Sequence, residues 1–508
     1  MPITLIPTQA STPALNNEAE SPALETSSHG PETNTLFSDK NAHISHYLAP
    51  TQGVQYSPLT APGLVQITTM NTSDTINVTV GTNNQINAYI NGKCYKLPLS
   101  ANGAYQKLVI EANGGNDRIC IDPRVQIETT IMGGDGDDLI SAGSGLTRIE
   151  GGRGKDYIRL GSGFAVAHGG DGDDVMLAGT GNASLSGGKG DDRLYALYPN
   201  PKASLRQVFL NGDGGNDQLF AGTGRVVMNG GTGDDTMVGH HQTTFYAGAG
   251  NDTLRSYSAQ DKIYAKKTDH IDNCVNAPVQ FVNTSDAGKR GLAIEEGGSF
   301  AEQTEAYIEQ LRGSPAGQKM LEALDKLVDK TKKPITLSES DSAYRNSYHF
   351  NNEYSDNFPE DADLPSPYPA GFGFITDAAA GSIATRGEVT FVPDFFEEKT
   401  STPPLLTLYH ELAHAYNGGT GTLMPGSTPI KGNDGKPVMV DGQPVTVENR
   451  EYQAIGLPNE GPAFDFDGNS DTPPTTTNPW PLTENALREE MGIPLRERYK
   501  PEDVSGPT

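Results

Sequence analysis

The chain has 508 residues, enough for more than one domain, and 37 basic against 64 acidic side chains leave a formal charge of −27. That balance disfavours partnership with nucleic acid or an anionic membrane surface, and it suits a soluble protein that collects divalent cations. No apolar run approaches the roughly 18 residues of a bilayer span, so no membrane-spanning segment is expected.

Residues 1–50 are rich in Ser, Thr, Asn, Pro and Glu, with few large apolar groups. Such a stretch cannot bury enough surface to offset its ordering entropy, and disorder is expected there. The opening MPITLIPTQA has neither a basic start nor an apolar h-region, so no Sec-type signal peptide is expected. A polar, Ser-rich start resembles the type III secretion signals of bacterial effectors, which implies a secreted protein delivered into host cells. Residues 51–111 read as a β-rich cap. Val65, Ile67, Ile76, Val78, Val80, Ile86, Ala88 and Ile90 alternate with polar residues, and Asn91-Gly92 is a hairpin turn. Cys94, Cys120 and Cys274 have no metal-type spacing and are expected as buried or inert free thiols.

Residues 112–264 carry an internal repeat of nine, clearest in GGDGDDLIS (133–141), GGRGKDYIR (151–159) and GGDGDDVML (169–177). It resembles the hemolysin-type (RTX) calcium-binding repeat. In that family six residues turn, three form a short strand, and two nonapeptides make one coil of a parallel β-roll. The eighth position then points inward, here as Ile140, Ile149, Ile158, Met176, Leu185, Leu194, Leu219, Met228, Met237 and Leu254. The acidic sixth position appears only in alternate nonapeptides: Asp138, Asp156, Asp174 and Asp192, then Asp217, Asp235 and Asp252 after an insertion. The resemblance implies Ca2+ between these stacked turns, on one edge of the roll and not on both. The bland alternative is a metal-free solenoid held by its apolar ladder.

Residues 265–298 read as a linker, 299–500 as the last domain and 501–508 as a tail. Ser299-Phe300-Ala301-Glu302 offers a capping box for a first helix, Gly313-Ser314-Pro315 breaks the chain, and a second helix is expected over 315–330. Ile335-Thr336-Leu337 and 388–392 read as strands, the second placed to border a cleft. The polar stretch between them reads as irregular.

Leu405 to Tyr416 contains His410-Glu411-Leu412-Ala413-His414. Thr402 suits an N-cap, Pro403 the first helical position and Gly418-Gly419 a stop. Leu405, Leu408, Leu412, Ala415 and Tyr416 make one apolar stripe, with the two histidines on the opposite side. Histidines at i and i+4 can close on one Zn2+, with Glu411 beside them as general base. A catalytic zinc keeps three protein ligands. Asn417 and Thr420 stand where the metzincin extension would need Gly and His, and no histidine follows His414. The third ligand is therefore an acidic residue downstream or His349 upstream. Thermolysin-like gluzincins use a Glu in an E-x-x-A setting, which favours Glu451, with Ala454 three residues on, over Glu448.

Four segments in this order resemble the M91 family of zinc metallopeptidases, the NleD-type effector proteases. They begin at Gly317-Gln318-Lys319-Met320, Tyr409-His410-Glu411-Leu412, Asn449-Arg450-Glu451-Tyr452 and Thr483-Glu484-Asn485-Ala486. The resemblance covers about 300–500 and implies a bacterial effector that cleaves a host protein; some members cut mitogen-activated protein kinases. Arg496-x-x-Tyr499 resembles the Arg/Tyr pair that clostridial neurotoxin proteases aim at their cleft, which adds both as catalytic candidates. The expected fold is multidomain: a parallel β-roll followed by an α+β, gluzincin-like zinc metalloprotease domain, expected to be a monomer. The competing reading is a calcium-binding adhesin or binding protein with a vestigial protease domain; intact His410, Glu411 and His414 favour the enzyme.

Overall fold

The structure is a computed structural model, and it describes residues 33–47, 63–100, 106–196, 206–273, 275–340, 346–358, 369–393, 402–469 and 471–500. The start of the expected secretion segment, the tail 501–508 and Cys274 lie outside the described residues.

Successive nonapeptides alternate between two sheets. One receives three-residue strands such as Leu139–Ser141, Tyr157–Arg159 and Val175–Leu177, and the other receives Thr147–Arg153, Ala165–Asp171 and Ala183–Lys189. All pair in parallel and in register, Ile140 with Ile158 and Ile158 with Met176, so equivalent side chains stack coil on coil. The eighth-position residues named above are all at most 2% exposed and form one apolar column between the sheets. The turns are as tight as the glycines allow. Gly154 has φ +132°, and a Cβ there would lie 2.2 Å from the carbonyl oxygen of Gly136 in the coil below.

The solenoid is longer at both ends than the repeat pattern predicts. Parallel pairing begins with Leu64–Thr68 against Lys107–Glu111 and Thr75–Val80 against Arg118–Ile121. Residues Thr33–Ser38 and His43–Tyr47 form a hairpin that continues one sheet, which corrects the expected disorder through residue 50. Ala42 and Ile44 are fully buried there, so a few apolar groups suffice when a sheet edge supplies their partners. A second hairpin, Gln85–Ile90 with Lys93–Ser100, continues the other sheet, and its turn residues Asn91 (φ 51°) and Gly92 (φ 81°) fit the expected turn. The expected linker 265–298 is likewise corrected. Its strands His270–Asn273 and Val279–Phe281 add one more strand to each sheet of the roll, and Leu292–Ile294 joins the next domain's sheet. Cys94 is exposed rather than buried, and Cys120 is half-buried.

The last domain is mixed α/β. Its helices are α1 (Gly298–Arg312), α2 (Pro315–Thr331), α3 (Glu353–Asp356), α4 (Pro404–Thr420), α5 (Asn449–Ile455) and α6 (Glu484–Glu490). Gly297 takes the N-cap of α1 without a side-chain bond, so the Ser299 box does not form. Ser314 caps α2 through its side chain. The four-stranded sheet runs Leu292–Ile294, Ile335–Glu339, Arg386–Phe391, Ser347–Asn351, with the last strand antiparallel. The strand near 388–392 is therefore interior. A strand within the stretch read as irregular, Ser347–Asn351, takes the edge instead.

The domain rests on the roll. Val166, Phe209, Val227 and Tyr246 project from one sheet into the same apolar cluster as Leu311, Met320, Leu487 and Met491. Around them Tyr246 Oη donates to Glu490 (2.8 Å), Thr244 Oγ1 to the Met491 carbonyl (2.9 Å) and Lys262 Nζ to the Glu489 carbonyl (2.5 Å). Phe209→Ala should therefore cost about 3 kcal/mol of stability, as for truncation of a buried Phe. Denaturant unfolding followed at Trp480 checks this; a change below about 0.5 kcal/mol, the range of an ordinary surface substitution, would show that the roll does not support the domain.

Candidate metal centre

Helix α4 packs on α2 and on strands Ser347–Asn351 and Arg386–Phe391, while α5 and α6 cover its other side. It is consequently buried all round rather than on one stripe. It starts one residue later than expected, after Pro403, and runs through Gly418 and Gly419 to end at Gly421 (φ 71°). The two glycines serve close packing and do not stop the helix: a Cβ at Gly418 would lie 2.1 Å from Tyr348 Oη. Thr402 makes no cap and instead accepts from Arg488 Nη2 at 2.7 Å.

On the α5 side His410 Nε2 lies 3.1 Å from His414 Nε2 and 3.2 Å from Glu451 Oε2, and His414 Nε2 lies 3.4 Å from Glu451 Oε1. These ligand atoms all lie within 4.8 Å of one another, a cluster that could hold a metal ion. Glu448 stands at the N-cap of α5, paired with Arg450, outside the cluster. His349 is on the edge strand, 3.0 Å from Ser347 Oγ, and also stays outside it. Glu411 is 3% exposed, and burial raises its pKa.

Sequence reasoning missed Glu484. It is the first residue of α6, 1% exposed, and its Oε2 lies 2.9 Å from His410 Nδ1, the ring nitrogen turned away from the cluster. Arg488 Nε donates to its Oε1 at 2.7 Å and Arg496 Nη1 to its Oε2 at 3.4 Å. Burial opposes ionisation of Glu484, but the two guanidiniums hold its carboxyl well below the usual range. Burial likewise works against charge on His410, yet Glu451 and Glu484 push its pKa up to about 9. The pocket thus stabilises positive charge among its imidazoles, which is what a cation site requires. The one available signal was the helix-start position of Glu484 inside the last quoted segment, and that signal also fits an ordinary helix start.

Arg496 stacks on the Tyr499 ring, 4.8 Å from guanidinium carbon to centroid. Tyr499 is 2% exposed, packs edge-on against Tyr452, and its hydroxyl has no hydrogen-bond partner among the described residues. Burial, with Glu451 and Glu484 nearby, raises its pKa well above the usual value.

The roll's acidic edge is built with equal regularity. Oδ1 of Asp138, Asp156, Asp174, Asp192, Asp217, Asp235 and Asp252 each accepts the N–H of the preceding coil's aspartate, at 2.7–3.0 Å. Oδ2 of Asp117, in an outlying copy of the repeat left out of the expected calcium set, and of the first six of these is buried without a partner among the described residues. A Cβ at Gly151 would sit 2.4 Å from both Asp156 Oδ2 and the Gly169 carbonyl oxygen, so glycine leaves a cradle lined by oxygen. An orphaned carboxylate oxygen beside carbonyls suits the hard cation Ca2+. Burial pushes these carboxyls up, from about 6 at Asp138 to about 9 at Asp217.

A parallel β-roll welded to a mixed α/β domain with two buried histidines and a half-buried glutamate in one cluster defines a repeat-supported protein with a candidate metal centre. Residues 288–499 match the sequence model of the peptidase M91 family, described as effector protein. Four blocks, 132–164, 168–197, 211–240 and 243–266, match the RTX calcium-binding nonapeptide repeat. The chain thus carries an M91 peptidase effector domain preceded by RTX repeats. No curated protein and no solved structure matches it.

Two outcomes are expected. When the chain is titrated with Zn2+ as the probe ion, Glu451→Ala should abolish uptake at this cluster, Glu484→Gln should weaken it about 10–100-fold, and Glu448→Ala should leave it unchanged, as read by metal analysis and chelator competition. For the roll, the raised carboxyls mean that the folded chain keeps protons the unfolded chain, near 3.8, has released. In chelator-treated protein, the row's contribution to stability should therefore be full below about pH 4 and fall as pH rises towards about 9, and added calcium should reverse the loss at high pH. Circular-dichroism melts at pH 5 and 8 test this.

Proposed function

We propose that the chain is a zinc-dependent endopeptidase, a secreted effector that cleaves a host protein. The observation that carries the reading is the convergence of His410, His414 and Glu451 with Glu411 on the same turn of α4. His410, His414 and Glu451 would hold the zinc, which when bound supplies Lewis acidity to the scissile carbonyl and to water.

The chain's own residues do the rest. Glu411 takes the proton of the attacking water and later delivers it to the leaving amine; burial raises its pKa, which strengthens it as a base. Glu484 fixes the ring plane and tautomer of His410 by accepting from Nδ1–H. The unpartnered Tyr499 hydroxyl is the donor for the oxyanion that develops on the carbonyl, and Arg496 holds its ring in place. The aspartate row of the roll takes calcium as a structural ion, and type III delivery into the host cell completes the proposal.

Incubating the full chain with host lysate, with and without a zinc chelator, and identifying new N-termini by mass spectrometry tests the reading directly. Glu411→Gln should keep fold and zinc content and lower kcat by about 10²–10⁴-fold. Activity within tenfold of wild type would remove Glu411 as the base. Tyr499→Phe should lower kcat with little change in KM, because the hydroxyl acts only on developing charge.

A further inference from the structure

The last turn of the acidic row is built differently from the others. Asp252 keeps the register of its predecessors, since Thr253–Ser256 pairs in parallel with Thr236–Gly239 and Asp252 Oδ1 accepts the Asp235 N–H at 3.0 Å. Its Oδ2, however, has a partner: Lys266 Nζ at 3.0 Å. The same ammonium donates to the Gly248 carbonyl at 2.5 Å and lies 3.4 Å from Asp269 Oδ1.

The neighbouring turn explains the substitution. His270–Asn273 pairs in register with Thr253–Ser256, so Asp269 falls where the next coil's aspartate belongs and accepts the Asp252 N–H at 3.3 Å. The glycines that earlier coils place in this turn are absent, and Lys266-Lys267-Thr268 stand there instead. The Lys266 side chain is 14% exposed and both carboxylates are 0% exposed. An ammonium with three donors thus meets three oxygens in a closed space, two of them on carboxylates.

We propose that Lys266 is the built-in cation of the last turn, so that the calcium row ends at Asp235 and Asp252 holds no calcium. The proposal rests on the reading of the row as calcium-binding, and it removes Asp252 from the set expected from the repeat. A divalent ion beside the Lys266 ammonium would face like charge at short range in a poorly solvated site. The coils closed in this way are also those whose Tyr246, Lys262 and Tyr264 hold the end of α6. The turn beside the clamp on the peptidase domain therefore carries its own counter-charge.

Calcium titration of the full chain by calorimetry, with chloride as counter-ion, tests the proposal through the number of ions bound. Asp252→Asn, which keeps Oδ1 for the backbone bond, should leave that number at the wild-type value. Lys266→Ala should bind one ion more, and K266A/D252N should return to the wild-type number. A loss of one ion in D252N, or no gain in a folded K266A, would overturn the proposal; if K266A fails to fold, D252N decides alone. A wild type that binds no calcium would instead overturn the reading of the row, and the proposal with it.

Discussion

The structure depends on a row of aspartates that are folded into the protein rather than held in water. Each uses one carboxylate oxygen to accept a backbone N–H from the neighbouring coil, which fixes the spacing of the turns. The other oxygen is left buried. An isolated buried carboxylate is costly, so the roll is stable only if a proton, a metal ion or a basic side chain answers each one. The peptidase domain packs on the sheet that these turns hold in register, and it inherits the outcome.

The candidate centre meets the same electrostatic problem with side chains of its own. Glu484 is as buried as the row, but Arg488 and Arg496 accompany it, and it stays charged. That permanent negative charge sits behind His410, while Glu451 faces it from the other side. One carboxylate orients an imidazole and another completes the cluster. The roll depends on ions from solution, whereas the centre's outer layer is neutralised within the chain.

Much of this was legible in the sequence because periodic features report on periodic structure. The nine-residue repeat gave the roll, its inward column and the one-edged row, and the His410–His414 spacing with the register of Glu451 gave the cluster. What was not legible depends on contacts between distant segments. Glu484 lies 74 positions from His410, and nothing in its local pattern separates it from an ordinary helix start. The hairpin at 33–47 looked too polar to fold because its apolar partners are supplied by a sheet edge formed later in the chain. The stretch 265–298 lost its glycine signature before it lost the fold, so composition ended the roll two strands too early. Gly418 and Gly419 look like helix stops until Tyr348 and Leu327 are seen pressing against them.

The short helix α6 touches both halves of the molecule. Its first residue supports His410 and its last accepts from Tyr246 of the roll. A fragment cut at the start of α1 would lose the strand Leu292–Ile294 and Tyr246, one of the donors to Glu490, and it would bare the surface that Val166, Phe209 and Val227 now cover. Such a fragment would be sticky and poorly soluble, and α6, which carries Glu484 behind His410, would lose its hold on the roll. For recombinant work, the smallest useful unit therefore includes the roll.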